Sequence, residues 1–497
     1  MLLLRTAAIR RLEARHLATA QPPLMEQAGL AAADLACEIV GEARARILIL
    51  AGPGNNGGDA YVCAKHLKAR GHAITLCSSA PGQALPDDAA HARLAWQDAG
   101  GQVLAALPDA LDHTLIIDGL FGIGLSRPIA GLAAEWIARL KHAHCPVLAL
   151  DIPSGLDADS GAVLGPCVRA THTLTFLAAK PGLYMQNGRD HAGIVECANL
   201  GIDASTEAAH EGRLISTADF ESALQPRLHN SHKGSHGNVA IIGGASGMAG
   251  AALLAGRAAL HLGAGRVYLG MLERLAVDYA QPELMLREVT DAIAQAVGTH
   301  AVIGIGPGLG QSEGALTALR LVIGTDKPLV IDADALNLIA LHPALVTHIA
   351  RRCAPTLLTP HPSEAARLLA CDTAAVQQDR IAAALRLAKR FNAAVVLKGS
   401  GSVIALPGGD GNEEHWYVNG NGNGGLATAG TGDVLLGFIT ALLAQGNDAA
   451  SALLAAVHLH GAAADLLVET GTGPIGLTAS ELLAPARDNW NDWIAAE

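Results

Sequence analysis

Aromatic residues make up only 3% of the 497-residue chain and charged residues only 16%. With few rings available, its cores must be built from Ala, Leu, Val and Ile. No polybasic block accompanies the net charge of −12. That excludes nucleic acid and an anionic membrane surface as the main partners. None of the eight cysteines, at 37, 63, 77, 145, 167, 197, 353 and 371, forms a Cys-x-x-Cys pair. A disulfide framework or zinc site is therefore not expected, and buried thiols in a reducing compartment are. Long apolar runs are also missing. The longest charge-free stretch, between Lys233 and Arg257, is broken by Gly234, Gly237, Gly243, Gly244, Gly247, Gly250 and Gly256. It suits turns better than a membrane span. Only three Leu precede Arg5, too few for a secretory signal. Leu4, Ala7, Ala8, Leu12 and Leu17 fall near helical spacing instead, which predicts a surface helix. The expectation is a cytoplasmic protein.

What the chain has in quantity is Gly, 56 residues of 497, and 50% hydrophobic residues. Such a composition excludes a disordered chain and fits α/β enzymes with phosphate or nucleotide loops. The length suggests two or three domains at about 100–200 residues each. Apolar runs at 46–50, 114–118 and 147–151, then THTLTF and GIVEC, alternate with helical patterns. Alternation of this kind predicts a parallel sheet covered by helices on both faces. The pattern lapses over 203–232, and the boundary is placed near 213. A second α/β series follows: NVAIIGG, a helix around 249–262, RVYLG, AVIGIG, LVIDAD, TLLTP, AVVLKG, and a long apolar helix after GTGD at 430–433.

The loops between these runs carry the chemistry. GPGNNGGDAY (52–61) follows a strand and opens a helix. Gly57 and Gly58 would let the backbone approach a ligand, the helix start offers free N–H groups, and Asn56 and Asp59 offer oxygens. DGLFGIGLSRP (118–128) brings Asp118, Gly122, Gly124 and Arg127 to a second strand end. DIPSGLDADSG (151–161) brings Asp151 and Ser154, with Asp157 and Asp159 as turn residues. In open parallel sheets ligands sit at the carboxyl ends of strands. Asn56, Asp118, Asp151 and Ser154 on one rim would make an oxygen-rich pocket for a hard cation, with one carboxylate free for acid–base work. In the second half, GGASGMAGA, GIGPGLG, TPHPSE with His361, KGSGS (398–402) and NGNGGLATAGTGDVLLG end at a helix start where Asp433 faces free N–H groups. An anion bound there meets the positive end of the helix dipole. The plainer alternatives are a first-turn helix acid for Asp433, a satisfied loop residue for His361 and a solvated strand end for Lys398.

These motifs, in this order, resemble a pair of families. GPGNNGGDA, DGLFGIGLSRP and DIPSGLD resemble the YjeF N-terminal domain, an NAD(P)H-hydrate epimerase. HKGSHG, GGASGMAGA, GPGLG, TPHPSE, LKGSGS and NGNGGLATAGTGDVL resemble the YjeF C-terminal domain, a nucleotide-dependent NAD(P)H-hydrate dehydratase. The resemblance spans about residue 3 to about residue 490. It implies α/β architecture throughout: an N-terminal Rossmann-like parallel-sheet domain (1–213) followed by a ribokinase-like α/β domain (214–497).

The resemblance also implies roles. Asn55, Asn56, Gly57, Gly58 and Asp59 would hold the hydrated dinucleotide, with Gly122, Ile123, Gly124, Leu125, Ser126, Arg127, Pro128 and Asp151. Asn56, Asp118 and Ser154 would bind K+. Gly250, Ala251, Gly308, Gly310, His361 and Asp433 would hold the hydrate at the dehydratase site. Lys398, Gly399, Ser400, Gly401, Ser402, Gly430, Thr431 and Gly432 would hold ADP or ATP with Mg2+. Asp151 and Asp433 are the expected acid–base residues, one in each domain. Ala60 stands where the motif usually has Gly, and Ile123 where it usually has Thr; neither ablates a site. NADHX or NADPHX and ADP or ATP are the implied partners, in a homo-oligomer that engages neither nucleic acid nor membrane. The rival reading is a small-alcohol or vitamin kinase with an N-terminal nucleotide-binding scaffold.

Overall fold

The computed structural model describes residues 1–41, 44–205, 212–273, 275–408 and 415–496. It divides into two compact units, Met1–Gly212 and Arg213–Glu497. Part of the polar stretch expected near the boundary, 206–211, lies outside the described residues.

In the first unit the strands are β1 (Arg46–Ala51), β2 (Ala73–Ser78), β3 (Leu115–Gly119), β4 (Val147–Leu150), β5 (His172–Phe176) and β6 (Ile194–Ala198). They pair in the order β2-β1-β3-β4-β5-β6, all parallel. Central strands such as ILILA and LIIDG are buried on both faces, hence their unbroken apolar character. Strand order reverses at β1, whose neighbours are β2 and β3. The crevice beyond the carboxyl ends of β1 and β3 is therefore the expected ligand position. The predicted N-terminal helix is Thr6–His16. Ala8, Ile9 and Leu12 bury in the core beside Leu4, whereas Leu17 stays exposed. One face is thus buried in the unit while Ala7, Arg11, Ala14 and Arg15 stay exposed, as in a surface helix.

The second unit continues with β7 (Gly212–Leu214), β8 (Asn238–Gly243), β9 (Arg266–Met271), β10 (Met285–Glu288), β11 (Ala301–Ile305), β12 (Leu329–Ile331), β13 (Thr356–Leu358), β14 (Ala394–Leu397), β15 (Val403–Leu406) and β16 (His415–Val418). Its sheet runs β7-β16-β15-β14-β13-β12-β11-β8-β9-β10. β14 to β16 pair antiparallel, a departure from the parallel pattern at one side of the sheet. Strand order reverses at β8, between β9 and β11. The helix after GTGD, Thr431–Ala444, is apolar nearly all round because it is buried nearly all round. Gly437 permits its close packing: a Cβ there would stand 2.3 Å from the Ala255 carbonyl. Ala449–Glu469 is long and apolar enough to cross a membrane, yet 67% of its apolar window is buried inside the protein.

Candidate active sites

The loops after β1 and β3 enclose a cavity of about 450 Å³ in the first unit. Asn55, Asn56, Asp59, Gly122, Ile123, Gly124, Leu125 and Asp151 line it, as do Glu13 and Lys180. Gly57 and Gly58 do not. They lie buried in the helix Asn55–Ala69, where a Cβ would meet the Gly52 carbonyl at 2.1 Å and Met25 at 2.5 Å, respectively. Their smallness lets the loop at Gly52 and the side chain of Met25 pack closely against the helix. Asp59 stands in the second turn of this helix, which begins at Asn55 after Gly54. Ser126, Arg127 and Pro128 are exposed and outside the cavity lining.

Asp151 sits at φ 66°, a left-handed conformation that aspartate tolerates better than most residues. Its Oδ2 accepts the Ile123 N–H at 3.2 Å, and its Oδ1 lies 2.6 Å from Lys180 Nζ. Lys180 is 0% exposed, and its ammonium also donates to Thr175 Oγ1 and the Phe176 carbonyl, each at 2.8 Å. Gly122 is required above this pair, since a Cβ would stand 2.9 Å from Asp151 Oδ2 and 3.4 Å from the Asn56 amide carbon.

Asp118 and Ser154 are buried together. Ser154 donates its N–H and its hydroxyl to Asp118 at 2.8 and 2.7 Å, and its oxygen accepts the Phe121 N–H at 2.8 Å. Burial pushes the Asp118 carboxyl up to about 6, against the pull of those bonds. Asn56 is 7% exposed, and neither polar atom of its amide has a partner. A buried amide costs free energy unless something pairs with it, so this side chain needs a partner from outside the chain, a water or a ligand.

In the second unit, Lys398 Nζ lies 2.7 Å from Asp332 Oδ1, whose carboxylate also caps the following helix through the Ala333 N–H at 2.8 Å. Burial disfavours the Lys398 charge, but Asp332, Glu364 and Asp433 outweigh it and raise its pKa. A Cβ on Gly432 would stand 3.2 Å from that ammonium. The GTGD helix start and Lys398 thus converge. Burial, then Asp332, pushes Asp433 up to about 7. Glu364 rises to about 7, chiefly by burial. Gly430 turns the chain at φ 92°. The Thr431 hydroxyl lies 3.0 Å from the Leu426 and Thr428 carbonyls.

His361 caps the helix Pro362–Leu369: its Nδ1 accepts the Ser363 N–H at 3.2 Å, and its N–H donates to Glu364 Oε2 at 2.8 Å. The satisfied loop residue is therefore part of its role. Gly250 and Ala251 open the helix Ala249–His261. Gly308, at φ 55°, meets it closely, and the Gly310 N–H donates to Asp334 Oδ2 at 2.8 Å. The loop Lys398–Ser402 rests on Arg380, a buried guanidinium that donates to the Leu397 and Gly401 carbonyls at 3.0 and 3.3 Å. Gly399, at φ 151°, leaves room for it: a Cβ would stand 2.7 Å from Arg380. Lys180, Glu13, Asp332, Glu364 and Arg380 were not singled out by the loop motifs.

Each unit is thus an α/β sheet with a charged, glycine-built site at its strand carboxyl ends, the class of two-site α/β enzymes. The sequence model for "YjeF-related protein N-terminus" matches residues 21–182, and that for "NAD(P)H-hydrate dehydratase" matches residues 239–484. The chain is 41% identical over 469 residues to the bifunctional NAD(P)H-hydrate repair enzyme Nnr of Escherichia coli, covering 93% of this chain and 88% of the relative. It is 36% identical over 472 residues to that of Moorella thermoacetica, covering 89% and 87%. A crystal structure of the ADP/ATP-dependent NAD(P)H-hydrate dehydratase of Bacillus subtilis, co-crystallised with ATP/Mg2+, aligns at 32% identity and TM-score 0.48 over 57% of this chain and 99% of that one. The chain belongs to the family of bifunctional NAD(P)H-hydrate repair enzymes.

Proposed function

We propose that the protein repairs hydrated nicotinamide dinucleotides in two steps. The N-terminal site interconverts the R and S epimers of NADHX or NADPHX. The C-terminal site dehydrates the S epimer to NAD(P)H at the expense of ADP or ATP. One observation carries the reading: each unit alone sets a Lys–Asp pair at its strand ends, Lys180–Asp151 and Lys398–Asp332. At the C-terminal site Asp433 takes the proton of the substrate hydroxyl as that oxygen attacks the terminal phosphoryl group. The Thr431–Ala444 helix start and Lys398 face the developing negative charge. Phosphate is a better leaving group than hydroxide, so elimination then restores the dihydronicotinamide. Among the described residues no group of three or more His, Cys, Asp or Glu side chains is arranged to hold a metal ion. That fits Mg2+ arriving on the nucleotide, held by phosphates and one or two carboxylates. The same reading puts the protein in the cytoplasm as a homo-oligomer, with neither nucleic acid nor membrane as a partner.

The test is to give the full chain an equal mixture of the two NADHX epimers with ADP or ATP and follow NADH absorbance. Complete recovery is expected. A halt at about half conversion would remove the epimerase, and a phosphorylated product without absorbance would favour a kinase.

K+ fits the first site. The unpartnered amide of Asn56 offers a neutral oxygen, and Asp118 and Ser154 offer further oxygens without sulfur or imidazole. Bound there, the cation would supply positive charge beside the substrate. K+ should raise the melting temperature of the N-terminal unit relative to choline, reflecting a stabilisation of up to about 2.7 kcal/mol at a hundredfold excess over Kd. Asn56→Ala should abolish that difference, and the same melt in both salts for the wild type would sink the assignment.

A further inference from the structure

The helix Thr6–His16 precedes the 21–182 range matched by the family model, yet Ile9, Arg10 and Glu13 form part of the N-terminal cavity wall. Its position is fixed by bonds to the active loops. The Leu4 N–H donates to the Ala179 carbonyl at 2.9 Å, one residue before Lys180. Thr6 donates its N–H and hydroxyl to Asp159 Oδ1 at 2.6 and 2.9 Å, so Asp159 anchors the helix as well as ending a turn. Leu4, Ala8, Ile9 and Leu12 complete the attachment in the core. Glu13, one turn after Ile9, is thereby held at the same cavity as Asp151.

Three carboxyl groups, Glu13, Asp59 and Asp151, share that cavity with the ammonium of Lys180. Of the three, Asp151 holds the ammonium. Asp59 belongs to the helix Asn55–Ala69, three residues after Asn56. Asn56, whose buried amide has no partner within the chain, lines the same cavity. Carboxylates that share a cavity repel one another when ionised. Burial first, then Asp151, raises the Glu13 pKa, with Lys180 and Arg10 opposing. Burial, Asp151 and Glu13 raise that of Asp59, opposed by Lys180.

We infer that Glu13 is the second proton-transferring group of the epimerase site, paired in function with Asp151; this rests on the epimerase reading above. Epimerisation at the carbon beside the ring nitrogen needs oxygen to leave one face and return to the other. One carboxylate serves one face, and two serve both. Protonated Glu13 gives its proton to the ring hydroxyl. The C–O bond breaks, its electron pair leaves with the oxygen as water, and the nitrogen lone pair forms a C=N bond. A water then adds to the opposite face of the planar cation, the C=N pair returns to nitrogen, and Asp151 takes the water's proton. One water has left and one has entered. A proton has moved from Glu13 to Asp151, and exchange with solvent resets both. In the reverse direction donor and acceptor trade places.

The test uses the full chain without nucleotide, starting from one purified NADHX epimer and separating products by chromatography. Glu13→Gln should lower kcat by about 10²-fold or more, the range for a lost acid–base group, with KM nearly unchanged. The wild-type rate should fall at alkaline pH as Glu13 loses its proton, and that fall should vanish in Glu13→Gln. Glu13→Asp should regain part of the rate, and it serves as the second variant if Gln disturbs the helix. In H₂¹⁸O the product epimer should carry the label. A Glu13→Gln rate near wild type, an alkaline fall that survives the substitution, or a product without label would overturn the role of Glu13. A wild-type chain that leaves the R epimer untouched, yet dehydrates the S epimer once ADP or ATP is added, would instead overturn the epimerase reading, and this role with it.

Discussion

Replacing Asp433 with Asn should lower nucleotide-dependent dehydration by about 10²–10⁴-fold and leave epimerisation at the wild-type rate. The carboxyl stands in the first turn of Thr431–Ala444, near Lys398 and Asp332, where it would meet the substrate hydroxyl and the phosphoryl group. Asn keeps the shape and removes the base. The two activities separate because the epimerase cavity is lined wholly by residues of the first unit. Equal loss of both would sink the two-site reading.

The pH dependence of this step has a definite sign. Burial, then Asp332 and Asp334, raises Asp433 to about 7, with Lys398 pulling it back. A base works ionised, so the dehydration rate of the wild type should climb as pH rises through about 7. Stability should move the other way. A carboxyl with a raised folded-state pKa binds its proton more tightly in the native state, so ionising it at higher pH weakens the fold. Asp433→Asn should therefore lose activity while its denaturation midpoint declines less between pH 5 and pH 8 than that of the wild type. A midpoint with unchanged pH dependence would contradict the environment described for Asp433.

The strands were legible because both faces of each central strand are buried, which leaves unbroken apolar runs such as RILIL and NVAIIGG. The antiparallel pair β15 and β16 was not: VIAL is apolar like its parallel neighbours, so its run does not state the strand's direction, and HWYV is buried only at alternate residues. Site loops were legible where Gly, Asn and Asp crowd together. What escaped were residues whose meaning depends on a partner far along the chain. Lys398 and Lys180 occur in similar settings, each closing an apolar strand region, in AVVLK and TFLAAK. Only Lys398 stood beside a glycine loop and was noticed. Arg380 falls in a helix with charged neighbours, and nothing local says that its guanidinium is buried beneath Gly399 and Gly401. The smallness of Gly57 and Gly58 is legible in the sequence, but not that their close neighbours are Gly52 and Met25. In each case spacing announces a constraint, and the fold decides what imposes it.

Lys180→Met should remove most epimerase activity and weaken the N-terminal unit together. Its ammonium is fully buried and satisfies Asp151, Thr175 and the Phe176 carbonyl. Removing one partner of a buried ion pair leaves the other uncompensated, at a cost of about 3–5 kcal/mol. Urea unfolding followed on the N-terminal unit should show that loss. Activity should fall because Asp151 Oδ1 loses the group that aims it, leaving only the Ile123 N–H on Oδ2. A second substitution separates the two effects. When both members of a buried pair become apolar, stability is often regained. Lys180→Met with Asp151→Leu should thus recover part of the urea midpoint while epimerisation stays lost. Dehydration of the S epimer should be unchanged in both variants. If the double variant, its urea midpoint recovered, epimerises near the wild-type rate, the Lys180–Asp151 pair is only a structural strut and the acid–base assignment of Asp151 falls.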